Sequence, residues 1–118
     1  MRLPEQILSQ EVSKAVKRRQ WASLIAFRLE SSHTFPGLPD WLFLFGGNKF
    51  LFVELKAGST LTKAQKVVHK FFDKFTIPYI VLTKINGGVI VNNEDKTFPT
   101  VEDWLTDVIK EHKNVKGN

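Results

Sequence analysis

Apolar and polar positions change period several times along the 118-residue chain, and each change predicts an element. Over residues 5–19, Leu8, Val12, Ala15 and Val16 recur at helical spacing between Lys14, Lys17 and Arg18, with Pro4 where a first turn tolerates proline. Residues 24–29 read as a short strand. Residues 41–45 and 50–53 are aromatic and branched runs around Gly46-Gly47-Asn48-Lys49, the pattern of a β-hairpin. Both faces of each run are apolar, which predicts central strands covered on both sides. A helix is expected over residues 63–75, opened by a Thr62–Gln65 capping box, with Ala64, Val67, Val68, Phe71, Phe72 and Phe75 as its apolar face. Residues 78–83 and 89–91, split by Asn86-Gly87-Gly88, form a second strand pair. The last helix spans residues 101–112, starting at Thr100 with Asp103 three residues on. It turns Val101, Trp104, Leu105, Val108 and Ile109 inward, and residues 113–118 follow as a frayed tail. Helix, strands, helix, strands, helix in that order make a single α/β domain, without internal repeat, over residues 1–118.

Composition narrows the chemistry. The chain has no cysteine, which excludes disulfides, thiolate zinc sites and cysteine nucleophiles. No apolar run approaches the roughly 20 residues of a membrane span. The first residues lack an apolar signal core, so an intracellular, cytoplasmic protein is expected. The net charge of +5 is unevenly spread. Residues 14–70 hold ten Lys and Arg but three acids, Glu30, Asp40 and Glu54, whereas residues 71–118 hold six bases and seven acids. A basic half suits polyanion binding; a solvated basic surface is the plain alternative.

Two of those three acids meet in the hairpin. A three-residue Gly46-Gly47-Asn48 loop pairs Phe45 with Lys49 and sets Asp40 opposite Glu54. A two-residue loop moves the partner to Leu55, with Glu54 still adjacent. Opposed residues of an antiparallel pair lie about 4.5–5.5 Å apart. Carboxylates that close, ending strands otherwise made of Phe, Leu and Val, need a cation or a shared proton. Lys56, two residues beyond Glu54, projects from the same strand face. The cluster suits an oxygen-seeking divalent ion such as Mg²⁺, with the Leu55 carbonyl as a further ligand and Lys56 beside a phosphate.

Gly37-Leu38-Pro39-Asp40, then Phe52-Val53-Glu54-Leu55-Lys56, then Leu61-Thr62-Lys63-Ala64-Gln65 resembles the PD-(D/E)XK nuclease superfamily. More closely, the series is similar to the single-domain virus-type replication-repair nucleases (VRR-NUC) of phages and bacteria, with G-x-P-D, E-x-K and a helix opening with Gln. The resemblance covers about residues 5–85. It implies a restriction-endonuclease-like core, a central mixed β-sheet flanked by helices. It also implies a Mg²⁺-dependent endodeoxyribonuclease in which Mn²⁺ can substitute, with Asp40 and Glu54 as metal ligands and Lys56 as the catalytic lysine. Gln65 matches the family glutamine near the active site, and the capping box accounts for it equally well. The family acid on the first helix corresponds to Glu5 or Glu11. At about 100° per residue, Glu5 lies about 35° from the core-facing direction and Glu11 about 85°, which favours Glu5. The resemblance further implies a homodimer acting on branched DNA such as Holliday junctions, in repair or recombination. DNA ends, flaps or plain duplex are the alternative targets, and a non-cutting DNA-binding module is the alternative class.

Lys14, Lys17, Arg18, Arg19, Arg28, Lys63, Lys66 and Lys70 are candidates to follow a DNA backbone, or they form solvated helix faces. His33, His69 and His112 show no ligand spacing and read as surface or ordinary helix positions, with a phosphate contact open to His33. Trp21 and Phe35 read as core or dimer contacts, with a junction wedge as the other reading. Phe75, Ile77 and Phe98 join Trp21 as candidates for a dimer contact.

Overall fold

The computed structural model describes residues 4–29, 36–58, 60–92 and 94–113. His33, Phe35 and residues 114–118 lie outside these. The elements are α1 (Pro4–Arg19), β1 (Ile25–Arg28), β2 (Trp41–Leu44), β3 (Phe50–Lys56), α2 (Lys63–Lys74), β4 (Tyr79–Ile85), β5 (Gly88–Val91), β6 (Lys96–Phe98) and α3 (Val101–His112). They build a six-stranded mixed sheet in the order β1-β2-β3-β4-β5-β6. Only β3 and β4 run parallel, because α2 is the one crossover; every other neighbour is antiparallel. Among the described residues no helix is long and apolar enough to cross a membrane.

The hairpin keeps the register expected from its loop. Phe45 N–H donates to the Lys49 carbonyl at 2.9 Å, and Trp41 pairs with Val53 at the far end. The tight reversal needs left-handed backbone at Gly47 (φ 65°) and Asn48 (φ 66°), residue types that adopt it at low cost.

One sheet face carries the main core. Phe43, Val53, Leu82 and Val89 pack there under α1 and α3, which contribute Leu8, Val12, Trp104 and Leu105. These α1 and α3 stripes are the ones the periodicity predicts. The Thr100 cap of α3 forms as well, accepting from Asp103 N–H at 3.0 Å.

The other face is covered less completely, and here two expectations fail. Leu42, Leu44, Phe50 and Phe52 are only half-buried, so the hairpin strands are covered fully on one side. In α2 only His69 and Phe72 are buried, while Val67, Phe71 and Phe75 stand exposed. One helix laid on a sheet shields a single stripe, and the remaining apolar residues of α2 flank that stripe. Phe72 stacks on Phe52 at 4.9 Å and His69 on Tyr79 at 4.5 Å. His69 is thus a helix position, as read, but a buried one and not a surface one. Trp21 is 79% exposed and is no core contact, whereas Phe98 packs against the core. β6 is an element the apolar pattern does not announce.

Candidate active site

The two carboxylates meet where β2 begins and β3 continues past it. Asp40 immediately precedes β2, opposite Glu54 by continuation of the Trp41–Val53 pairing. Its Oδ2 accepts from Leu55 N–H at 2.7 Å, which fixes the carboxylate against β3. Backbone groups of one strand residue point to the same side. The Leu55 carbonyl therefore also faces the β2 side, beyond the last paired residue of that strand.

Glu54 is 2% exposed. Its Oε2 accepts from Gln65 Nε2 at 2.9 Å, and its Oε1 has no hydrogen-bond donor. Burial foremost pushes its carboxyl up to about 9, and the neighbouring Asp40 and then the Glu5 charge push the same way, while Lys56 opposes them. A glutamate so placed holds a proton at neutral pH, shared toward Asp40, unless a cation replaces it. Two opposed oxygen donors with one orphaned atom, and a backbone carbonyl on the same side, fit a divalent ion by the chemistry of the set. Among the described residues no three His, Asp or Glu side chains converge as a cage. Asp40, Glu54 and the Leu55 carbonyl are the groups that could hold such an ion.

Lys56 is buried on the same face, two residues from Glu54 and across from Thr83 of β4. Gln65 forms the capping box and also reaches Glu54. Its backbone N–H donates to Thr62 Oγ1 at 3.1 Å, its Oε1 accepts from Thr62 N–H at 2.8 Å, and its Nε2 holds Glu54. The helix cap and the carboxylate clamp are one amide group. Sequence alone poses these as alternatives because it does not show that the first turn of α2 lies over Glu54.

Gly37 explains how the Asp40 loop reaches that turn. Its φ is +86°, and a Cβ there would lie 2.5 Å from the Ala64 carbonyl carbon and oxygen and 2.9 Å from Gln65 N. The loop backbone rests on the start of α2, and Pro39 beside Asp40 is fully buried. Gly37→Ala is therefore expected to destabilise the fold by about 2–4 kcal/mol, combining a left-handed alanine with overpacking against backbone. Thermal unfolding followed by circular dichroism checks this; a melting temperature equal to that of the unsubstituted chain would refute the close approach.

The helix acids separate. Glu11 pairs with Lys84 at 2.9 Å, whereas Glu5 sits on the first turn of α1 with its charge acting on Glu54. Glu5 is exposed, not turned into the core as its helical phase suggests. The cationic candidates also divide between the two faces. Lys63, Lys66 and Lys70 are exposed on α2, the helix whose Gln65 reaches Glu54. Arg18 and Arg19 are drawn to Glu102 of α3 at 2.8 and 3.4 Å, on the opposite side of the sheet. Lys14, Lys17 and Arg28 are exposed.

No protein-family model matches the chain, and no curated protein matches it. Among solved structures, Hjc of Archaeoglobus fulgidus, a Holliday junction resolvase from an archaeal hyperthermophile, is similar at 21% identity and a TM-score of 0.43. The likeness covers 75% of this chain and 67% of that one.

Proposed function

We propose that the chain is a metal-dependent endonuclease of the PD-(D/E)XK type, of the virus-type replication-repair kind, hydrolysing phosphodiester bonds in branched DNA. The observation that carries this reading is the Asp40–Glu54 pair. Two acids are held face to face at the end of an apolar hairpin, one of them 2% exposed, with the buried Lys56 alongside. Burying such a pair costs stability, and binding alone gains nothing from carboxylates placed near phosphates.

Asp40, Glu54 and the Leu55 carbonyl would hold Mg²⁺, or Mn²⁺ in its place. When bound, the ion supplies Lewis acidity at a phosphate oxygen and acidifies water for attack. The chain's own groups prepare the site. Leu55 N–H and Gln65 Nε2 each lock one carboxylate before substrate arrives. Lys56 sets a positive charge where the phosphate and the attacking water are oriented. Glu5 adds negative charge from the mouth of the site. Lys63, Lys66 and Lys70 neutralise the DNA backbone on the same face, a contact that positions without reading sequence.

Symmetric cutting of a four-way junction takes two sites, which a two-fold dimer supplies. The exposed α2 stripe of Val67, Phe71 and Phe75 supports such a contact. The test is cleavage of a labelled four-way junction, matched duplex and single strand in Mg²⁺ or EDTA, with sedimentation to measure assembly. Metal-dependent paired nicks near the crossover by a species of twice 13.5 kDa are expected. Equal cutting of plain duplex would sink the branched-DNA reading, and binding without cleavage in any divalent metal would leave a DNA-binding module.

A further inference from the structure

A groove of about 540 Å³ opens beside Lys56, on the α2 face of the parallel β3–β4 pair. The register builds it. Phe52, Glu54 and Lys56 stand in one column, and Tyr79, Val81 and Thr83 stand beside them as direct partners. Neither Asp40 nor Glu54 lines the groove; it begins where the acidic pair ends. Its floor is Tyr79, Val81 and Thr83, and α2 contributes Lys66 and His69 to its wall.

The lining has a definite chemistry. Two lysines, Lys56 and Lys66, and no carboxylate are among the described residues around it. Asn92 Nδ2 donates to Thr83 Oγ1 at 2.8 Å, so the Thr83 hydroxyl proton and the Asn92 carbonyl oxygen remain side by side as one donor and one acceptor. His69 is 7% exposed, its ring stacked on Tyr79, and its buried Nε2 has no partner. Burial foremost holds this imidazole below its ordinary pKa, with the Lys56 charge acting the same way against Asp73, so the ring is neutral. Two cations beside a paired donor and acceptor at the Lys56–Thr83 end, with an apolar and aromatic floor leading away to Tyr79, describe a receptor for an anion joined to a flat polar ring.

We propose that this groove seats one unpaired nucleotide adjoining the cleaved phosphate, its phosphate between Lys56 and Lys66 and its base on the floor of Val81 and Tyr79, with a polar edge at Thr83 and Asn92 next to Lys56. The volume suits a single nucleotide and excludes a duplex. A base reaches such a floor only after leaving its stack, which costs least at a branch or mismatch. The inference rests on the nuclease reading and deepens it: selectivity for branched DNA comes from a nucleotide that is already unpaired there.

The experiment titrates thymidine 5′-monophosphate, and separately inorganic phosphate, into the full chain in EDTA, followed by amide and imidazole ¹⁵N shifts. Cleavage of duplexes with and without one unpaired nucleotide beside the cut is measured in Mg²⁺. Thymidine monophosphate is expected to shift His69, Thr83 and Asn92. Asn92→Ala, at an exposed position, and Thr83→Val should each weaken that binding and slow cutting beside the unpaired nucleotide about tenfold, the loss of one or two hydrogen bonds, with plain duplex unchanged. Cleavage that persists with no nucleotide shift, or with both variants indifferent to the unpaired nucleotide, overturns the groove assignment. Equal shifts from phosphate alone overturn it too, leaving an anion site. Nucleotide binding at these residues without any cleavage overturns the nuclease reading and keeps the groove.

Discussion

Asp40→Ala and Lys56→Ala are each expected to lower Mg²⁺-dependent cleavage on the order of 10³-fold, and for different reasons. Asp40 is one of two side-chain oxygen donors, so its loss weakens the ion itself. It also removes the acceptor that fixes Leu55 N–H at 2.7 Å. Lys56 touches no ligand position; its loss removes a positive charge from beside the ion's place. Titration calorimetry with Mg²⁺ separates the two. Ion binding should collapse in Asp40→Ala and hold or tighten in Lys56→Ala, since a like charge is gone. Binding to uncut junction in EDTA should survive both, because the α2 lysines that meet the backbone are untouched. A Lys56→Ala protein that still cuts at the original rate would remove lysine from the chemistry.

Glu54→Gln should abolish cutting to a similar degree while stabilising the metal-free protein. With its carboxyl pushed up to about 9, folded Glu54 holds its proton over a range in which the unfolded chain has released it. The folded state therefore binds more protons between about pH 5 and 9, and stability in EDTA falls as pH rises through that window. An uncharged amide in this position removes the dependence. Its nitrogen donates to Asp40 and its oxygen still accepts from Gln65, so the opposition of charges becomes a hydrogen bond. A gain of about 1–3 kcal/mol at pH 8 is expected, shrinking toward pH 5. Denaturation in EDTA across that range measures it. A variant less stable than the original at pH 8 would mean that the glutamate is not buried at a cost.

Much of this arrangement is written locally. The loop length of Gly46-Gly47-Asn48 fixes the hairpin register, and with it the meeting of Asp40 and Glu54. Leu8, Val12, Ala15 and Val16 of α1 face inward as their spacing indicates, and the Thr62 and Thr100 caps form. What stays hidden depends on neighbours. Val67 and Phe71 share a helix with the buried Phe72, Phe75 caps its end, and periodicity does not say where the covering sheet stops. β6 has one apolar residue in three and becomes a strand only because β5 offers it an edge. His69 carries no ligand spacing; it acquires its setting from Tyr79, a residue on another element. The charge count of residues 14–70 hides that Arg18 and Arg19 face Glu102 across the sheet from Lys63, Lys66 and Lys70 of α2.

The single amide of Gln65 ties two events together. It satisfies Thr62 N–H and holds Glu54 at once, so the start of α2 cannot fray without letting the carboxylate go. Most helices lose their first turn at little consequence, since the end residues open and close freely. Here each such opening also releases Glu54, which in the proposed nuclease would switch the site off. Its working fraction of time is then set by the end-stability of a twelve-residue helix. Selection on the rate of reaction would act on Thr62 and the rest of that first turn as firmly as on the acids themselves.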